Sequence, residues 1–217
     1  MSISNEEERA VVKTSPKPRT KIARRSQAER SSEMQQRVCE ATIETLCEIG
    51  FDRLSLATVA ERAGISRGAI THHFKTKTDI LVGAFEYSIG RFKAERARFV
   101  AEYKNPTAED FIRFVWRQNF SQPNYIASID LMLAARADAE LQRRIKDLFR
   151  EWLGVRDVLN QEIFGEEIGG IPRHRYVELI YSAMRGIAVI SSIDPDGRNN
   201  DLLIEDLIKI TKAISAK

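Results

Sequence analysis

Between Ser66 and Leu81 the chain reads SRGAITHHFKTKTDIL, and its polar side chains suit the holding of a polyanion. Arg67 offers a planar fork of donors that can grip a guanine edge or a phosphate through two parallel hydrogen bonds. Thr71 and His72 add a hydroxyl and a ring nitrogen that can reach a phosphate or a base edge. His73 can do the same, or can pack and bond locally. Lys77 falls in the first turn of the following helix, where free backbone N–H groups and the helix dipole already favour an anion. Bond-making chemistry has no comparable foothold. The three histidines are His72, His73 and His174, and adjacent residues on a helix point about 100° apart. No metal-ligand spacing, nucleophile motif or Gly-rich phosphate loop is seen. Neither a metal nor a cofactor is expected.

These side chains need a rigid frame, and the flanking residues supply one. Ser55 is an N-cap candidate. After it Leu56, Val59, Ala60 and Ala63 recur at helical spacing on one apolar face. Gly64 follows, at the position where a helix closes in the left-handed conformation. Ser66 is a second N-cap candidate, and the helix from Arg67 to about His73 buries little beyond Ala69, Ile70 and Phe74. Two helices joined by a short Gly-containing turn, the second polar on its outer face, form the helix-turn-helix pattern that lays a recognition helix in the DNA major groove. Gly68 weakens that helix but lets backbone approach DNA or the preceding helix closely. Ala69 can touch a thymine methyl or simply pack. Ser55 and Ser66 cap their helices and can also donate to phosphate.

The string VAERAGISRGAITHHFKTKTDIL resembles the N-terminal signature of the TetR (tetracycline-repressor) family of bacterial transcription regulators. The resemblance is closest over about residues 37–81, including Ala41, the IGFDRLSL run and the Phe74-x-x-Lys77 ending. Beyond it the chain matches only in length and helical character. One departure is Thr71-His72, where family members often carry tyrosine.

At 217 residues the chain is long enough for a sizeable core, and 43% hydrophobic with 30% charged residues is a soluble globular composition. No stretch approaches the length of a membrane span and no secretory signal is seen, which predicts a cytoplasmic protein. The first 80 residues carry 14 Lys and Arg against 11 Asp and Glu, and the remainder 20 against 20. The positive excess thus sits in the half that holds the motif, as phosphate binding wants. Cys39 and Cys47 are eight residues apart on one predicted helix, roughly 12 Å at the helical rise. That is too far for a disulfide, so both read as buried thiols.

The expected architecture is all-α, with three parts. Residues 1–30 form a disordered basic arm, either a solvated tail or a strap along the DNA. Residues 31–80 form the helix-turn-helix domain, opened by a helix over Ser32–Ile49. Residues 81–217 form a second helical domain. Thr76-x-x-Asp79 and Thr107-x-x-Asp110 read as capping boxes. The first opens a long helix to about Lys104 with Leu81, Phe85, Ile89, Phe92, Phe99 and Tyr103 as its stripe. The second opens a helix to about Phe120. Pro123-Asn124 is a break, followed by a helix to about Ala135; further helices cover 138–164, 173–193 and 201–216, with a loop over 165–172 and a turn at Asp194-Pro195-Asp196-Gly197.

The last two helices repeat Tyr176, Ile180, Ala183 and Ile187, then Leu203, Leu207 and Ile210. Such faces leave apolar surface uncovered in a monomer. The resemblance implies that two subunits pair them in a four-helix bundle, and that the homodimer binds a near-palindromic double-stranded operator. It also implies a small-molecule inducer pocket in the second domain. Candidate pocket residues are Trp116, Phe120, Met132, Phe149, Trp152 and Tyr181, with Arg185, Gln118 and Asn119 as polar groups. Arg185 inside an apolar helix suits an anionic ligand or a buried carboxylate. The function implied is a ligand-responsive repressor. The rival readings are an enzyme on a helical scaffold and an interaction protein whose motif no longer binds DNA.

Overall fold

The computed structural model describes residues 26–161, 163–194 and 199–215. The basic stretch before residue 26 and the centre of the turn after Asp194 lie outside the described residues. Helix α1 spans Gln27–Arg53, α2 Leu56–Ala63, α3 Arg67–His73 and α4 Lys77–Glu102. Helix α5 (Ala108–Val115) runs into a π-helical turn at Trp116–Phe120, then α6 is Pro123–Ala134 and α7 Ala139–Gln161. Helices α8 (Arg173–Ile193) and α9 (Asn200–Ser215) complete an architecture that is all-α but for one tiny hairpin.

Helix α1 starts earlier than expected. Ser26 accepts from Glu29 N–H while Glu29 reaches back to Ser26 N–H, a closed capping box that draws 27–30 into the helix and out of the presumed disordered arm. Gly50, at φ 74° and ψ 176°, interrupts the helix, and one further turn carries it to Arg53. Cys39 is buried and burial holds its thiol up at about 11, whereas Cys47 is exposed, contrary to expectation. Tyr103 is likewise exposed at the end of α4.

Between α7 and α8 the expected loop contains a two-stranded antiparallel hairpin, β1 Glu167–Ile168 with β2 Ile171–Pro172. Gly169 and Gly170 turn it with φ 56° and 76°, as a two-residue hairpin loop demands. A Cβ on Gly169 would stand 2.4 Å from Ile214 Cγ2 and 3.0 Å from the Ile214 carbonyl. Gly169→Ala is therefore expected to destabilise the fold by about 1–3 kcal/mol through left-handed strain and overpacking on α9. Thermal melts should show a lower Tm with unchanged helix content.

Two buried clusters organise the molecule. One joins α1–α4 to α6 and α7, with Val38, Val59, Ile70, Ile80, Leu81, Leu131 and Leu141 at its centre. The other joins the C-terminal part of α4 to α5, α8 and α9 around Phe99, Phe111, Ile112, Phe120, Tyr181 and Met184. Helices α2 and α3 thus share a core with α6 and α7. By length and composition α8 could cross a membrane, which corrects the reading that no stretch could. Here it packs one face on α9 and the second cluster. Arg96 and Arg156 are buried within that region, each stacked on a ring, Phe111 and Tyr181 respectively.

Candidate DNA-reading face and effector cavity

Local bonding fixes the two helices of the motif. Ser55 and Thr58 exchange backbone-to-hydroxyl bonds of 3.1 and 2.9 Å at the start of α2. Gly64 closes α2 at φ 62°, and Ile65 N–H returns to the Ala60 carbonyl at 3.1 Å. Arg37 Nη2 donates to the Ala63 carbonyl at 2.5 Å, tying the end of α2 to α1. Ser66 Oγ accepts from Ala69 N–H at the start of α3. Ile70 is fully buried and Phe74 nearly so; the Phe74 ring lies where a Cβ on Gly83 would be, 2.9 Å away. Helix α3 is thereby keyed onto α4.

Around that anchor Ser66, Arg67, Gly68, Thr71 and His72 are exposed, while Ala69 and His73 are half-buried. Nothing lies within 4 Å of the space a Gly68 Cβ would fill, so close packing inside the protein does not account for this glycine. Thr71 donates back to the Arg67 and Gly68 carbonyls. Arg62 is held by Glu44 and Glu48 of α1. Among the described residues no carboxylate pairs with Arg67 or Lys75, which stand beside this face as solvated cations.

The histidine pair is coupled despite the angle between neighbours on a helix. Gln35 Nε2 lies 3.2 Å from His73 Nδ1, and His73 Nε2 lies 3.4 Å from His72 Nδ1. If the Gln35 amide donates, His73 accepts at Nδ1 and carries its proton on Nε2. That proton faces His72 Nδ1, so His72 turns a protonated Nε2 outward as a donor. No cluster of three or more potential metal-binding side chains occurs among the described residues.

Lys77 sits differently from the expected phosphate cation. Its Nζ donates to the Phe51 carbonyl at 2.7 Å and lies 4.2 Å from the Phe51 ring centroid. Burial lowers its pKa, with Asp52 opposing the shift. The ammonium ties α4 to the end of α1. Asp79, the partner of Thr76 in the α4 capping box, also accepts from Arg144 of α7 at 2.8 Å. That bond holds the Asp79 carboxyl below the usual carboxylate range.

A cavity of about 90 Å³ lies between α4, the π turn, α6, α7 and α8. Phe120, Met132, Phe149, Trp152, Tyr181 and Arg185 all line it, together with Phe92, Asn119, Tyr125, Ser128 and Arg156. Trp116 does not: it faces a separate cleft with Cys47, and Gln118 opens onto a third. The π turn explains the divergence. Its wide step, closed by Ser121 N–H on the Trp116 carbonyl at 2.9 Å, departs from the 100° spacing assumed for an α-helix. Among the described residues no carboxylate pairs with Arg185; its Nε donates to the Tyr125 hydroxyl at 3.1 Å.

The expected subunit-pairing stripe needs correction. Tyr176 and Ile180 are buried in their own core, and Ile187 and Leu207 are partly buried against it. Ala183, Leu203 and Ile210 are exposed. The free apolar face of α8 is Leu179, Ala183, Gly186, Ile190 and Ile193, repeating 4-3-4-3, and it adjoins exposed Leu202, Leu203 and Ile210 of α9. Helix α8 is apolar on two sides, so spacing alone did not say which side faces in.

Residues 38–84 match the model of "Bacterial regulatory proteins, tetR family". The chain is 29% identical over 205 residues to the HTH-type transcriptional regulator CymR of Pseudomonas putida, covering 89% of this chain and 97% of that protein. In fold it is similar to a transcriptional regulator from Rhodococcus sp. Rha1, with TM-score 0.66 and 19% identity over 83% of this chain and 95% of that one. It is similar also to the regulator FadR of Bacillus subtilis in complex with stearoyl-CoA, with TM-score 0.62 and 20% identity over 83% and 98%.

Proposed function

We propose that this chain, whose residues 38–84 match the model of the tetR family of bacterial regulators, is a cytoplasmic TetR-type repressor, homodimeric on a near-palindromic operator and released by a small-molecule effector. The observation that carries the DNA half of this reading is the face of α3. Ser66, Arg67, Thr71 and His72 surround a buried Ile70, and Arg67 has no carboxylate partner among the described residues. Arg67 reads a base edge or phosphate, His72 donates from its outer nitrogen, and exposed Gly68 lets the backbone come close. Ser66 caps α3 and adds a phosphate donor, and half-buried Ser55 does the same for α2. Ala69 stands beside a thymine methyl. His73 orients His72, and Lys77 holds α4 to α1.

The effector enters the cavity lined by α4 and α6–α8. A regulator of similar fold from B. subtilis is in complex with stearoyl-CoA, but about 90 Å³ is far below the roughly 300–1,000 Å³ of a pocket for a drug-sized ligand. A ligand of that size must part the walls of this cavity. Parting them moves α4, which carries α3 through Phe74, and changes the spacing of the two recognition helices.

A mobility-shift assay with DNA from the protein's own promoter region, across a salt series, tests this directly. Specific binding that weakens steeply with salt is the expected result. Arg67→Ala should weaken it by about tenfold or more with an unchanged melting temperature. Equal affinity for random DNA would count against the regulator and for an interaction protein.

A further inference from the structure

The cavity has a charge pattern of its own. Among the described residues two arginines line it, and no aspartate or glutamate does. Arg156 is already neutralised, with Nη1 2.8 Å from Glu178 and its guanidinium stacked over the Tyr181 ring. Arg185 is not. It is half-buried, its partner is the neutral Tyr125 hydroxyl, and no carboxylate pairs with it among the described residues. A guanidinium set against aromatic walls without a counter-ion is costly, and an incoming anion relieves that cost. The Tyr125 oxygen accepts from Arg185, so its own proton remains available to a third group. Arg185 and Tyr125 together form a two-sided clamp for one carboxylate.

Apart from Ser88, Asn119 and Ser128, the rest of the cavity lining is apolar or aromatic. Phe92 and Trp152 meet edge to face at 4.5 Å, with Phe149 and Met132 beside them. At about 90 Å³ the space is smaller than the roughly 150 Å³ that admits benzene in an apolar core. One ring enters only if the walls yield, and flexible Met132 is the wall best able to do so. A dication or a quaternary amine would meet two arginines and, among the described residues, no acid.

The geometry points to a compact aromatic monocarboxylate as the effector, its carboxylate in the Arg185–Tyr125 clamp and its ring among Phe92, Phe149 and Trp152. This rests on the reading of the cavity as the effector site. A ligand slightly too large for the resting cavity would make binding and release of DNA one event, because α4 forms one wall.

The test uses the full-length protein titrated with benzoate and phenylacetate, against benzamide, benzyltrimethylammonium and octanoate as neutral, cationic and aliphatic controls. Tryptophan fluorescence reads the site, since Trp152 lines the cavity and Trp116 is the only other tryptophan in the sequence. Operator release is then measured with the same compounds. The aromatic acids should quench fluorescence, raise Tm and release DNA, and the three controls should not. Arg185→Gln should weaken benzoate by about tenfold to a hundredfold, Arg185→Lys should recover part of the loss, and Tyr125→Phe should cost several-fold. Undiminished benzoate binding by a folded Arg185→Gln protein overturns the clamp. A response to benzamide, the ammonium or octanoate instead, or to no probe at all, overturns the ligand class. The cavity itself is checked with Ser128→Leu, which takes up much of it: a folded variant still released by an active probe has its effector site elsewhere.

Discussion

The double substitution Leu179→Asp, Ile190→Asp is expected to leave a folded monomer that no longer holds its operator. The two positions are three turns apart on the uncovered face of α8, with Ala183 and Gly186 between them. Ile193 is 78% exposed and Leu202 60%, so the patch continues to the end of α8 and onto α9. Burying such side chains is worth about 1.5–3 kcal/mol each, and a two-fold axis counts every one of them twice. A carboxylate placed there without a partner reverses the balance. Neither residue belongs to a buried cluster, so helix content and cavity binding should persist. Losing the second recognition helix removes an effective concentration worth about 10²–10⁴ in affinity. Light scattering and a mobility shift on one sample decide the matter: a dimer that still binds places the subunit contact on another face.

The N-terminal half was legible because its signals are local. Ser55, Gly64, Ser66 and Thr76 each cap a helix by bonding to backbone within five residues, and the spacing of Val59, Ala60 and Ala63 names the buried face. The missed capping box at Ser26 was equally local, and Ser-x-x-Glu was there to be read. What stayed hidden depends on contacts between distant segments. The Arg37 bond to Ala63, the Lys77 bond to Phe51 and the Asp79–Arg144 bridge join residues far apart in sequence, and nothing in periodicity announces them.

The cavity was half legible for a related reason. Aromatic and Met side chains at helical spacing mark a core, and six of the seven candidates do converge on one space. Trp116 departs because the π turn changes the angular step just where it sits. The pairing stripe failed differently. Two apolar faces on one helix are symmetric to a hydropathy argument, and only the packing of Tyr176 and Ile180 beneath α5 and α9 breaks the tie.

Arg144→Ala is expected to separate effector binding from DNA release. Helix α7 lines the cavity with Phe149, Trp152 and Arg156, and about one to three turns earlier Arg144 grips Asp79 at the first turn of α4. The bridge is the short rigid link from the cavity wall to the base of the reading head. Without it the cavity should still take its ligand with affinity changed no more than about threefold, while the operator response shrinks by most of a coupling energy of about 1–3 kcal/mol. The pair is half-exposed enough that its stability share is modest, about 1 kcal/mol. The share has a definite pH signature. Asp79 has a folded pKa below its unfolded value, held there first by the Arg144 bond. The stabilisation is therefore complete above about pH 4 and fades as the pH falls through the depressed folded value. Wild type and Arg144→Ala should melt apart at pH 7 and converge in acid. Asp79→Asn also removes a cap, so a double-mutant cycle is needed to isolate the bridge. Full operator release in Arg144→Ala would move the coupling to the other shared wall, α6 against α1.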